Sequence, residues 1–165
     1  MPTNLCDINN VLDSLYLELL NLIEQQTSCR VNIEKTINAG QLLLAKTRYN
    51  QGSQTISVAQ IPTENSEDCK ALCLVTEEAN EESVAGCKKS LLRHKVDKTE
   101  GYLEPMHWFT IMPSMSLRNA AEQFKKSVDL AVESANIQNE MLAIMKSIEH
   151  LKALKQQNHW VYQSK

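Results

Sequence analysis

Glycine and proline are scarce in this 165-residue sequence, four of each. So few backbone punctuation points, in a chain rich in Leu, Glu, Lys, Gln, Ser, Ala and Asn, favour long helices. Aromatic side chains are scarce too: two Trp, four Tyr and two Phe leave little material for a large core or for stacking nucleic-acid bases. An excess of basic residues is missing as well. The formal net charge is -3, without the positive field that phosphate backbones require, so nucleic acid is excluded as the expected partner. No apolar run approaches the roughly 18 residues that cross a bilayer. Runs such as Leu42 to Ala45 and Ala71 to Val75 are too short, so the chain is not expected to span a membrane.

The first ten residues contain no Lys or Arg, and Asp13 and Glu18 interrupt the apolar stretch after them, so a secretory signal is not expected. Five cysteines, an odd number, fit reduced thiols and a cytosolic compartment better than a disulfide framework. A chain of this length holds one modest domain or an elongated helical rod with an irregular insertion.

The strongest pattern is a heptad seam. Apolar residues recur at Leu5, Ile8, Leu12, Leu15, Leu19 and Leu22, alternating spacings of three and four. The phase then meets Gln26 and Cys29, and the apolar stripe resumes at Ile33, Ile37, Leu43 and Leu44. Tyr16, Leu20 and Ile23 widen the face and predict more than one packing neighbour. The spacing predicts a helix over 5–50, stopped at Asn50, Gln51, Gly52 and Ser53, with Lys46 and Arg48 suited to the negative end of its dipole.

A second helix is predicted over 116–158, capped by Ser116 after Pro113. Its seam reads Leu117, Ala121, Phe124, Val128, Ala131 and Ala135, then shifts phase to Ile137, Met141, Ile144, Ile148 and Leu151. A straight helix drifts in this way against a strict seven-residue repeat. Each helix would have about 43 to 46 residues, roughly 65 to 70 Å at 1.5 Å per residue. Matched lengths suggest side-by-side pairing.

Between the helices, 53–104 has no sustained period and reads as a flexible charged linker. Its first half is acidic (Glu64, Glu67, Asp68, Glu77, Glu78, Glu81, Glu82) and the next stretch basic (Lys88, Lys89, Arg93, Lys95, Lys98). Ile56, Val58 and Ile61 alternate as a short strand would, and Ala71 to Val75 reads as a short buried turn. Residues 105–115 form an aromatic docking segment in which Trp108 and Phe109 either fold back over the helix ends or anchor a partner. Trp160 and Tyr162 read as a tail, with insertion at a membrane interface as the alternative. The fold class expected is all-α: two long amphipathic helices packed as an antiparallel coiled-coil hairpin, joined by a long, partly disordered linker.

Little here reads as chemistry. Cys69, Cys73 and Cys87 with His94 have metal-ligand side chains, but only one close pair, unlike the paired spacings of structural zinc. Cys6 or Cys29 could pair with His94, His107, His150 or His159, yet nothing positions such a pair. Phosphate loops, nucleophile elbows and HExxH motifs do not occur. No metal, no cofactor and no catalysis are expected. Asp13, beside the seam, reads as a solvated flank or a partner contact.

Two stretches together carry a family resemblance. One runs from Leu12-Asp13-Ser14-Leu15 to the helix end Leu42-Leu43-Leu44-Ala45-Lys46-Thr47-Arg48-Tyr49-Asn50-Gln51-Gly52; the other is Trp108-Phe109-Thr110-Ile111 followed by Ser116-Leu117-Arg118 and Phe124. The chain thereby resembles the animal coiled-coil-domain family of vacuolar-type ATPase assembly factors, itself similar to a peripheral assembly protein of the yeast endoplasmic reticulum. The resemblance covers both helices but not the acidic linker.

It implies a non-catalytic chaperone at the cytosolic face of the endoplasmic reticulum, with endoplasmic reticulum–Golgi vesicles, endosomes and lysosomes as further compartments. The implied partners are the membrane-sector subunits of the proton ATPase and a transmembrane assembly factor of the endoplasmic reticulum, through which the chain would associate peripherally with the membrane. Leu12, Leu15, Leu19, Leu22, Phe124 and Val128 would hold the helices together. Asp13, Lys46, Arg48, Tyr49, Trp108 and Arg118 would contact partners. Three readings of other classes stay open: a prefoldin-like chaperone subunit in a closed ring, a coiled-coil scaffold or tether, and a zinc-dependent enzyme.

Overall fold

A computed structural model describes residues 5–52, 54, 56–64, 66, 69–79 and 86–163, the side chains of 5, 6 and 158–163 excepted. Two long helices flank a small sheet. Helix α1 spans Leu5–Gln51 and helix α2 spans Met115–Gln163. Strands β1 (Cys73–Ala79) and β2 (Cys87–Arg93) lie between them in sequence and pair in a two-stranded sheet. Single 3-10 turns occupy Val58–Gln60 and Pro105–Trp108. No described helix is long and apolar enough to cross a membrane.

The seam of α1 continues past its leucines without a break in spacing. Ile8, Leu12, Leu22, Gln26, Cys29, Thr36, Gly40 and Thr47 are buried, and Leu15, Leu19, Ile33 and Leu43 between them are half-buried. Every step is three or four residues, as a helix seam requires. Its polar members are satisfied: Thr36 and Thr47 hydroxyls reach the carbonyls of Asn32 and Leu43 at 3.0 and 2.8 Å, and Gln26 bonds across to α2, so their burial carries no unmet hydrogen bond. Tyr16, Leu20 and Ile23, expected to widen the buried face, are exposed.

On α2 the buried stripe is Leu117, Ala120, Ser127, Ser134, Ile137, Ile144 and Ile148. Ala120 and Ser127 take the buried places expected for Ala121 and Val128, which are half-buried and 42% exposed respectively. The cap also differs from the expected Ser116. Ser114 Oγ accepts the Leu117 N–H at 3.4 Å and Ser114 O the Arg118 N–H at 3.0 Å, which frees Ser116 to face α1.

The chain divides into two compact units, Met1–Cys29 with Glu78–Lys88 and Glu133–Lys165, and Arg30–Glu77 with Lys89–Val132. In the first, the start of α1 runs antiparallel to the end of α2. Lys155 Nζ donates to Asn9 Oδ1 at 2.7 Å and Gln26 Nε2 to Ser134 Oγ at 2.9 Å, and Lys152 lies over the Tyr16 ring at 5.4 Å. Ile8, Leu12, Leu22, Ile144 and Ile148 are its core, each buried side chain contributing about 1.5–3 kcal/mol. In the second unit the end of α1 again runs antiparallel to the start of α2, with Gly40 against Phe124 and Thr47 Oγ1 3.0 Å from Ser116 Oγ.

The sheet overturns the all-α expectation. Cys73–Ala79, read partly as a buried turn, is an exposed strand, and the alternation at Ile56, Val58 and Ile61 ends in a 3-10 turn capped by Ser57. Val75 and Thr76 supply β-branched residues suited to a pleat. Register is fixed by contacts between strands: Thr76 with Ser90 (2.8 Å between hydroxyls) and Glu77 with Lys89 (3.2 Å). The acidic and basic blocks of the linker are therefore, in part, facing sides of one ladder, where opposite charges stabilise pairing. Glu67, Asp68, Glu81 and Glu82 lie outside the described residues.

Candidate partner-binding site

The second unit holds an apolar groove of about 460 Å³. Its walls come from three places in the chain: Leu44 on α1, Ile56 and Met106 on the connecting segment, and Leu117, Phe124 and Val128 on α2. Each element has a local reason to be there. Pro105 opens the 3-10 turn that carries Met106, since a fixed φ and a missing N–H suit a first helical position. The Gln60 side chain caps Ser57 and donates to Phe109 O at 3.3 Å, tying the two non-helical strips together.

Charges rim this groove. Arg93 reaches from β2 to α2, donating to Asp129 Oδ1 at 2.6 Å and to Lys125 O at 3.0 Å. Its pKa is raised above the ordinary arginine value, first by the hydrogen bond to Asp129. Lys125 pairs with Glu104 at 3.1 Å and Glu122 at 3.4 Å. Burial works against the Lys125 charge, but the bonds to these two carboxylates outweigh it and hold its pKa above normal. Arg48 donates Nε to Ile56 O at 3.2 Å, and among the described residues no carboxylate pairs with it. An apolar trough with one uncompensated cation at its rim suits an apolar segment bearing an acceptor or a carboxylate.

The residues expected to hold the helices together divide between the units. Leu12 and Leu22 are buried, Leu15 and Leu19 half-buried. Phe124 is half-buried above Gly40, while Val128 is 42% exposed and lines the groove. Of the residues expected to meet partners, Asp13 is an exposed position on α1 in the first unit. Lys46, Arg48, Tyr49, Trp108 and Arg118 all belong to the second. Lys46, Arg48, Tyr49 and Arg118 are exposed, and Trp108 is half-buried with its indole N–H shielded and without an acceptor among the described residues. The rim residues Arg93, Glu104 and Lys125 escape sequence reasoning because their pairing links positions far apart in the chain.

The cysteines show no assembled centre. Cys29, Cys69, Cys73 and Cys87 are free thiols, and among the described residues no three His, Cys, Asp or Glu side chains converge. Cys73 Sγ lies 3.6 Å from Arg93 Nη1, and His94 stacks on Tyr102 at 4.8 Å. The side chains of Cys6, His159, Trp160 and Tyr162 lie outside the described residues.

No family model matches the chain. Among curated proteins it is 28% identical over 155 residues to "Vacuolar ATPase assembly protein VMA22" of Homo sapiens, covering 81% of this chain and 84% of that protein. The protein of that name from Mus musculus is 27% identical over 149 residues (77% and 81% covered), and the one from Danio rerio 24% over 175 residues (82% and 84%). The family resemblance carried by the two motif stretches is thus borne out, and the chain is a relative of the vacuolar ATPase assembly proteins over about four-fifths of its length.

Proposed function

We propose that this chain is a non-catalytic assembly factor, a chaperone for the proton-translocating membrane sector of a vacuolar-type ATPase, and so supports organelle acidification. The observation that carries the reading is similarity to assembly proteins of that enzyme over about four-fifths of the chain. Two structural features support it. The groove in the second unit is open and apolar, and Leu17 and Leu20 on the first unit are 70% and 62% exposed. Apolar surfaces left uncovered in the monomer suit transient capture of a partner's helices, followed by release when the final interface forms. The chaperone works at the cytosolic face of the endoplasmic reticulum with a transmembrane assembly factor. Its protein contacts are Arg48 at the groove rim with Lys46 and Tyr49 next to it on α1, Trp108 at the end of the 3-10 turn that carries Met106, Arg118 in the first turn of α2, and Asp13 in the first unit.

The test is affinity purification of tagged protein from detergent-solubilised cells, with co-purifying proteins identified by mass spectrometry. The expected outcome is recovery of ATPase membrane-sector subunits with a transmembrane partner and little catalytic head. Arg48→Ala with Trp108→Ala should reduce that recovery while helicity, read by circular dichroism, is kept. Undiminished recovery refutes the assignment of those two residues.

One observation favours a second reading. A sheet inserted between two long helices is also what a prefoldin-like chaperone subunit has, and that reading requires a closed ring of several subunits. Light scattering on the purified chain decides it: a monomer or a one-to-one complex with a membrane protein excludes the ring.

A further inference from the structure

The chain has twenty Asp and Glu residues, yet none occurs from 35 to 63 or from 105 to 121. The same two segments carry Lys46, Arg48 and Arg118, all exposed, and among the described residues none of the three forms an ion pair. They also carry the most exposed apolar side chains of the second unit: Ile111 is 91% exposed, Tyr49 90%, Met112 82%, Val58 77%, Leu42 72% and Met115 70%.

Hydrogen bonds hold these segments together where α1 ends and α2 begins. Thr47 meets Ser116 at 3.0 Å and Gln60 Nε2 donates to Phe109 O at 3.3 Å across the two segments, while Arg48 Nε and Arg118 Nε are each tied within their own segment, to Ile56 O at 3.2 Å and Pro113 O at 3.1 Å. Glu104, the carboxylate just outside the second segment, is held by Lys125. Unopposed cations and protruding apolar groups therefore share one end of this unit.

That pairing of chemistries fits a lipid interface better than a protein one. Protein interface cores favour Tyr, Met and Arg and disfavour Lys, but they bury such anchors in pockets, whereas Tyr49, Ile111 and Met112 protrude beside Lys46. A headgroup layer instead accepts Ile, Met and Tyr at the acyl boundary while Lys and Arg meet phosphates. We propose that this end of the second unit docks directly on an anionic membrane surface. Tyr49, Ile111 and Met112 enter the headgroup region, and Lys46, Arg48 and Arg118 face the lipid phosphates. This reassigns Lys46, Arg48, Tyr49 and Arg118 from the protein contacts of the assembly reading to lipid, and adds a direct membrane contact to the one that runs through a protein partner.

The experiment is co-sedimentation of the purified full chain with vesicles of phosphatidylcholine alone and of phosphatidylcholine mixed with phosphatidylserine. Binding is expected to the mixed vesicles, weakening as salt rises. Lys46→Gln and Arg118→Gln should each weaken it about fivefold, and Ile111→Ser with Met112→Ser should remove most of what remains. A Met112→Trp reporter gives an independent reading. Its emission should shift blue on the mixed vesicles and be quenched by brominated acyl chains. Equal, salt-independent binding to both vesicle types overturns the charge argument, and bound protein with an unquenched reporter overturns the insertion. No sedimentation alongside intact capture of ATPase subunits overturns the lipid surface and assigns this end to protein. Vesicle binding without subunit capture instead removes the assembly reading and leaves the lipid surface standing.

Discussion

Gly40 lies directly beneath the ring of Phe124: a Cβ built on Gly40 would stand 2.8 Å from Phe124 Cζ and 2.9 Å from Cε1. The absence of a side chain on α1 is what lets an aromatic of α2 cross it. Gly40→Ala would gain about 1 kcal/mol of helix propensity, but it forces the ring toward the groove or the helices apart, at about 1–3 kcal/mol. The expected net loss is about 1 kcal/mol in urea unfolding. With Phe124→Leu in the background the clash disappears and the same alanine should stabilise. A Gly40→Ala variant that is more stable with Phe124 intact would contradict the contact.

Gln26 and Ser134 form a buried hydrogen bond between helices at 2.9 Å. A polar pair at a seam position costs stability relative to an apolar one but fixes register and the number of helices that associate. Gln26→Leu with Ser134→Ala should therefore raise the melting temperature and, in sedimentation, introduce self-association that the unaltered pair disfavours. Gln26→Ala alone removes the bond without filling the space and should cost about 1–3 kcal/mol.

Why some of this was legible in the residues and some was not has a physical basis. The leucines from Leu12 to Leu22 are buried or half-buried, and apolar periodicity reports such positions. Beyond Leu22 the spacing persists through Gln26, Thr36, Gly40 and Thr47. Their burial depends on a partner hydroxyl, a carbonyl one turn back, or room for a ring, none of which hydrophobicity encodes. The sheet was hidden for a related reason: β1 is exposed at all but Thr76, and β2 is half-buried at four of its seven positions without regular order, so neither shows the inside–outside alternation of a half-buried strand. Their charges, Glu77 and Lys89, read as blocks along the chain and as a pair only across it. At the groove, Arg48 was legible as a partner contact, Phe124 and Val128 were legible only as apolar residues expected between the helices, and Arg93 and Lys125 gain their places from Asp129 and Glu104.

Cys29 is buried on the α1 seam. Burial, reinforced by the charge of Glu133, pushes its pKa up, against a smaller opposing hydrogen bond from the Ser134 backbone. The folded state therefore holds the thiol proton more tightly than the unfolded chain. This contribution is fully present below the unfolded pKa of about 8.5 and is lost as pH rises through the higher folded value. Stability should be flat near neutrality and decline in alkali, and Cys29→Ala should make that decline shallower. Reactivity follows the same logic, because the thiolate is the nucleophile. Iodoacetamide at pH 7.5 should label exposed Cys69 and Cys73 first, and Cys29 only after denaturant is added. Peptide mapping that finds Cys29 among the earliest sites would rule out its burial.

Arg93 is the side chain through which β2 holds α2, bonding both the Asp129 carboxylate and the Lys125 carbonyl. Arg93 and Asp129 are respectively 35% and 56% exposed, so solvent screens the pair and its worth to global stability is about 1 kcal/mol or less. Its local effect is larger, because a two-stranded sheet on its own is marginal in water and needs something to pack against. Arg93→Ala should leave the unfolding midpoint nearly unchanged while amide hydrogen exchange quickens in Cys73–Ala79 and Cys87–Arg93 and not in α1. Arg93→Lys keeps the charge but not the two-acceptor reach, so it should restore little of the lost protection. If exchange in both strands stays at the unaltered rate, the sheet is held by its own ladder and by the His94–Tyr102 stack, and Arg93 serves only the rim of the groove.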